Sequence, residues 1–249
     1  MTNQIKLTLT LFLLLIFTSS KAQNIGAFAI IKDKKDGFVN VRDNNNAKSK
    51  IVGKISENQV FEDMDAIQGE KNEWVYITYG VSKQKTGLSN KPEDQEFGYI
   101  HKSRIQYLSN LPKLRMKIIS ENNAEFKNDD LTITIQTGKF IPKEHQIKKQ
   151  DGFISKIDDQ YPWGIDGIKP ENLIEIKTIK ITTKNEVYNI PINNLTGIYS
   201  PNFKNTQIYI GPEKTIFIGM SNGDAAGAYN VVWTIKDNNA KDQFVFRDF

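Results

Sequence analysis

Apolar residues in this chain recur at every second position, and spacing of the helical kind is scarce. In Leu131-Thr132-Ile133-Thr134-Ile135-Gln136 and again in Tyr229-Asn230-Val231-Val232-Trp233-Thr234-Ile235-Lys236, successive apolar side chains fall on one side of an extended backbone. A period of two predicts strands with one face on a core and the other in water. Shorter runs of the same type occupy Gln207 to Ile210, Thr215 to Met220 and Gln243 to Phe246, separated by turn residues such as Gly211-Pro212 and Asp237-Asn238-Asn239. Short strands bounded by Gly, Pro, Asn and Asp predict an all-β architecture. The run Leu173 to Thr182 alternates on each side of Lys177-Thr178 but slips phase there. A β-bulge absorbs such an extra residue. The alternative is a short helix opened by Lys169-Pro170-Glu171-Asn172, which the β-branched residues of the run disfavour.

The amino terminus carries Lys6, an apolar stretch from Leu7 to Phe17, and Ser20-Lys21-Ala22. A basic start, a short apolar core and small residues at the third and last positions before a cut predict a secretory signal peptide over residues 1–22. An uncleaved anchor is the alternative, but the stretch is shorter than the about 20 residues a spanning helix needs. The expectation is therefore an exported, soluble protein of the periplasm or exterior with no membrane insertion after cleavage. Cysteine is absent, so neither a disulfide nor a thiol nucleophile is available, and stability must come from the core. The 33 basic and 29 acidic residues nearly balance, and Lys6 and Lys21 lie in the segment expected to be removed. Without a basic excess, nucleic acid is not an expected partner.

Three blocks in the first half belong together. Asp36-Gly37-Phe38-Val39-Asn40-Val41-Arg42-Asp43 opens with a glycine turn and then separates Val39 and Val41 from Asn40 and Arg42 on opposite faces. Glu73-Trp74-Val75-Tyr76-Ile77-Thr78-Tyr79-Gly80 alternates in the same way, and either set could face a core. Phe97-Gly98-Tyr99-Ile100-His101-Lys102-Ser103-Arg104-Ile105 places a glycine where the chain bends into a last strand. In order and spacing these blocks resemble the bacterial Src homology 3 family, over about residues 25–108. The resemblance implies a small β-barrel that recognises cell-wall peptide, glycan or a neighbouring protein. On the matching positions it implies Asn40, Arg42, Trp74, Tyr99 and His101 as ligand-binding residues. Each has a structural alternative. Trp74 could fill the core, Arg42 could pair with Asp36 or Asp43, and Asn40 could serve a turn. An exposed His101 would make binding pH-dependent. Two departures stand out: Asn44-Asn45-Asn46-Ala47-Lys48-Ser49 replaces a glycine-rich stretch, and a polar insertion from Ser82 to Gln95 reads as a long mobile loop.

Residues 109–130 then read as a linker, with a short strand over Arg115 to Ile119, and residues 131–249 as a second β-rich domain, sandwich or barrel-like. Here His145 is the only histidine, and no nucleophile motif accompanies it. Asp158, Asp159 and Asp166 lack calcium-loop spacing, so no catalytic residues, metal or cofactor are assigned. Two clusters remain. In Asp158 to Gly167, Tyr161, Trp163 and Asp166 could form a stiff aromatic loop that stacks on a sugar ring; alternatively Trp163 plugs the core. In Met220 to Tyr229, small residues and Asn222-Gly223 predict a hairpin loop, with Asp224 as a candidate ligand contact. The function expected is that of a non-catalytic binding or adaptor protein. A wall or glycan hydrolase using carboxylates such as Asp159 and Asp166, and an inhibitor of a secreted toxin, are the alternatives.

Overall fold

A computed structural model describes residues 27–33, 35–66, 73–81, 88–89, 91–223 and 227–247. The expected signal segment and Asp224 lie outside them. The described residues form an all-β protein in which the helices are single 3-10 turns. No helix among them is long and apolar enough to cross a membrane.

The first eight strands are β1 (Phe28–Ile31), β2 (Phe38–Arg42), β3 (Ile51–Ser56), β4 (Phe61–Asp63), β5 (Trp74–Gly80), β6 (Leu88–Ser89), β7 (Gln95–His101) and β8 (Ile105–Tyr107). All but β6 join a curled half-barrel sheet in the order β3-β2-β7-β5-β4-β1-β8. Its inner face buries Ala29, Ile31, Val41, Ile55, Phe61, Val75, Ile77, Tyr79 and Ile100. That assignment settles the second block: Val75, Ile77 and Tyr79 face the core, and Trp74, Tyr76 and Thr78 face the other way. Gly98 lets β7 close against β2, because a β-carbon there would lie 2.5 Å from Val41 Cγ1 and 2.7 Å from the Arg42 carbonyl oxygen. Gly98→Ala is therefore expected to cost about 1–3 kcal/mol by overpacking. Urea unfolding checks this, and an unchanged midpoint contradicts it.

The remaining strands make three sheets. β9 (Arg115–Ser120), β10 (Asn123–Lys127), β11 (Leu131–Lys139), β14 (Ile174–Thr183) and β15 (Val187–Asn189) lie in the order β15-β14-β11-β10-β9, and β12 (Ile147–Gln150) pairs with β13 (Phe153–Ile157). β16 (Thr206–Ile210), β17 (Ile216–Asn222), β18 (Tyr229–Lys236) and β19 (Asn239–Phe246) follow in sequential order. The phase slip read from the sequence is a bulge in a continuous strand. Gln136 pairs with Thr178 and Thr137 with Ile176, leaving Lys177 unopposed, while Ile176, Ile179 and Ile181 all stay buried.

The sheet of β16 to β19 departs from the expectation of one wet face. Ile216, Ile218, Met220, Val231, Trp233 and Ile235 pack with Ala124, Phe126, Ile133 and Ile135 from the β10–β11 hairpin. The opposite face sends Tyr209, Phe217, Val232 and Phe244 into a second cluster with Phe28, Ile30, Val60, Leu108 and Leu111 from the first half. Both faces are dry because the half-barrel covers the one that alternation assigned to water. Strand β1 has the same double role, with Phe28 and Ile30 on this shared core and Ala29 and Ile31 inside the half-barrel.

The stretch expected as a linker is structural throughout. Leu111 is in the shared core, Leu114 N–H donates to the Ile208 carbonyl at 2.9 Å, and β9 and β10 follow. The polar insertion also differs from a free loop where it is described. Its strand β6 pairs in parallel with β19, Leu88 opposite Gln243 and Ser89 opposite Phe244. The Gln95 amide donates to the Val245 carbonyl at 2.9 Å. Backbone pairing as well as apolar contact therefore binds the two halves.

Candidate functional site

The residues opposite the half-barrel core form an aromatic ladder across β5 and β7. Trp74 pairs with His101, Tyr76 with Tyr99 and Thr78 with Phe97, and on the other edge of β7 Tyr99 pairs with Arg42 of β2. Trp74 meets the imidazole of His101 edge to face at 5.3 Å. Tyr76 stacks on Phe97 at 6.0 Å and tilts against Tyr99 at 5.1 Å. Cross-strand aromatic pairs of this kind fix each other's rotamers, so the face is held ready before any ligand arrives. Phe97 is 45% exposed. Trp74, Tyr76, Tyr99 and His101 are half-buried.

Polar groups flank the ladder. The Arg42 guanidinium donates to the Ser49 carbonyl at 2.7 Å, which the Asn44 to Ser49 turn supplies in place of the Asp36 or Asp43 partner considered from the sequence. Asn40, half-buried on β2, keeps an Oδ1 that is enclosed and without a hydrogen-bond partner. His101 caps the 3-10 turn Lys102–Arg104, its Nδ1 taking the Ser103 N–H at 3.3 Å and lying 2.8 Å from the Ser103 hydroxyl. Lys54 of β3 sits 4.2 Å over the Phe38 ring. Thus Asn40, Arg42, Trp74, Tyr99 and His101 come from strands β2, β5 and β7 onto one sheet face, and Trp74 is not a core residue. Sequence reasoning missed Tyr76 and Phe97. Their signal was present, since each stands two residues from a chosen aromatic and so shares its face.

The other described candidates, Tyr161, Trp163 and Asp166, lie elsewhere. Trp163 is 1% exposed, with Tyr161 against it at 4.9 Å and the Arg247 guanidinium over it at 5.3 Å. It is the core plug of the alternative reading. Asp166 accepts from Arg247 at 2.8 Å, and Gly227 lies beside it, so the two polar clusters singled out in the sequence meet. Gly164, at φ +78°, sits where a β-carbon would come within 2.5 Å of the Tyr199 carbonyl oxygen. The Tyr229 hydroxyl donates to that same oxygen at 2.5 Å. Asp159 pairs with Lys148 at 2.5 Å, an exposed contact that lowers its carboxyl below the ordinary value.

One further cluster was not legible. His145 Nδ1 lies 2.6 Å from Asp158, its Nε2 3.6 Å from Glu175, and its ring stacks on Phe140 at 4.3 Å. The carboxylates clasp the imidazole from both sides and tie the β12–β13 hairpin to β14. Among the described residues no group of three or more His, Cys, Asp and Glu is placed to hold a metal ion.

A cleft of about 840 Å³ opens between the half-barrel and the β18–β19 hairpin, lined by Lys54, Glu57, Tyr79, Glu96, Lys241 and Asp242 among others. Burial pushes the Asp242 carboxyl up to about 7, against a partly offsetting hydrogen bond from the Gln243 N–H. Tyr79 is raised too, by burial first and then by the charge of Glu96.

Comparison of the chain with known families, curated proteins and solved structures finds no match.

Proposed function

We propose that this protein is an exported, non-catalytic binding or adaptor protein that docks through the outer aromatic face of its amino-terminal sheet to cell-wall glycan and its attached peptide. The observation that carries this reading is the ladder of Trp74, Tyr76, Tyr99 and Phe97 with Arg42 and His101 beside it. Flat rings held rigid by their neighbours stack on sugar or peptide faces at small entropic cost, and Arg42 supplies a cation for a carboxylate of the ligand. The Src homology 3 resemblance of the same three blocks points to the same ligand class. The hydrolase alternative gains no support from its named pair: Asp159 and Asp166 are engaged by different cations, Lys148 and Arg247.

Tryptophan fluorescence tests the site directly. Trp163 and Trp233 are at most 1% exposed, so a ligand on the outer face reports through Trp74. Titration with soluble wall fragments is expected to change the emission. Tyr99→Ser should weaken that binding by roughly 30-fold, the loss of one central aromatic contact of about 2 kcal/mol. No change in emission with wild type, or equal affinity for the variant, contradicts the assignment. Binding to a single secreted protein in place of wall fragments would support the inhibitor reading instead.

A further inference from the structure

Strand β9 ends its sheet: β10 pairs with one side, and among the described residues no strand pairs with its other edge. All six of its residues are exposed. Exposed strand edges are templates for pairing, and soluble proteins usually shorten or cover them. This one is long, and its apolar residues are unprotected. Met116 and Ile118 pair with Phe126 and Ala124, which are buried in the core, yet they remain 41% and 44% exposed. Ile119, at the bulge where the β9–β10 register slips, is 49% exposed. The rim of the core is therefore open at β9.

The charges along this edge say what fits it. The free segment begins at Arg115, where the preceding residues leave β16, and ends at Glu121 in the turn to β10. An antiparallel copy of the same segment, related by a twofold axis through Ile118, sets Arg115 opposite Glu121 of the partner subunit at both ends. Lys117 then faces Ile119 of the partner subunit, Met116 faces Ser120 of the partner subunit, and no like charges oppose each other. Among the described residues neither Arg115 nor Glu121 has an ion-pair partner, so the contact would engage two charges left unused there. We propose that two copies of the chain join edge to edge through β9, antiparallel about Ile118, so that one sheet runs through both and the Met116–Ile118 rim is covered. Closure by a twofold axis consumes both edges and ends growth at the dimer.

Sedimentation velocity over a concentration series tests this. The wild type is expected to show a monomer–dimer equilibrium. Arg115→Glu places like charges opposite each other twice, and should raise the dissociation constant about tenfold or more. Glu121→Arg should do the same, and the combined R115E/E121R exchange should restore the wild-type value to within about twofold, because it only reverses each pair. All three changes are on exposed side chains and should leave the melting temperature unmoved. A monomer at every concentration overturns the proposal and leaves the edge to an extended segment of another protein. A dimer insensitive to the single variants, or one that the exchange does not rescue, places the contact elsewhere and overturns it equally.

Discussion

Phe217→Ala is expected to lower stability by about 3–5 kcal/mol and to weaken both halves of the molecule together. Phe217 is 0% exposed, on the face of β17 that meets the half-barrel, and its neighbours in the cluster include Phe28, Ile30 and Val60 from the first half and Val232 and Phe244 from the second. Removing the ring leaves a cavity between two sheets that are also joined by the Gln95 amide on the Val245 carbonyl, so neither can collapse freely into it. If the halves were independent domains on a linker, two transitions would be seen and the variant would shift only that of the second half. A single transition, shifted and followed alike by near-ultraviolet circular dichroism and by fluorescence, is the result that a shared core requires.

The second large effect concerns acid and base. Asp242 faces the cleft between the halves with its carboxyl raised to about 7 by burial and with no ion-pair partner among the described residues. In the unfolded chain an aspartate titrates near ~3.9. Between those values the folded state holds a proton that the unfolded state has released. Stability is therefore free of this cost below about pH 4, falls as pH rises from about 4 to about 7, and stays reduced above. Asp242→Asn keeps an oxygen for the Gln243 N–H and removes the charge. It should stabilise the protein at pH 8 on the order of 2 kcal/mol, a figure reduced from the full shift because water reaches the cleft, and should change nothing at pH 4. Thermal melts of both proteins across that range check the sign. Parallel curves, or a variant less stable at pH 8, contradict it.

What the sequence made legible was local. The bulge at Lys177 could be read because alternation slips within a few residues, and the half-barrel blocks because each carries its own turn and its own two faces. The double burial of β17 was written more faintly, in the unbroken apolar run Ile216-Phe217-Ile218 that marks a strand covered on both sides. Pairings between distant segments left no such trace. The two residues of β6 add to β19 through backbone groups, which every sequence possesses, and the clasp on His145 draws Asp158 from the turn after β13 and Glu175 from β14. At the candidate site the structure brings Asn40, Arg42, Trp74, Tyr99 and His101 onto one sheet face, with Trp74 there and not in the core position that its strand also allowed. The missing step was to carry the period of two from Trp74 to Tyr76 and from Tyr99 back to Phe97.

That face is where the functional account stands or falls. Sedimentation with purified cell wall, comparing the wild type with a Trp74→Ser, Tyr76→Ser double variant, tests it most directly. Both side chains lie outside the core, so the variant should melt near the wild-type temperature. The wild type should pellet with the wall and the double variant should stay in the supernatant. A wild type left in the supernatant, or a folded variant that pellets equally well, would contradict docking through the aromatic face.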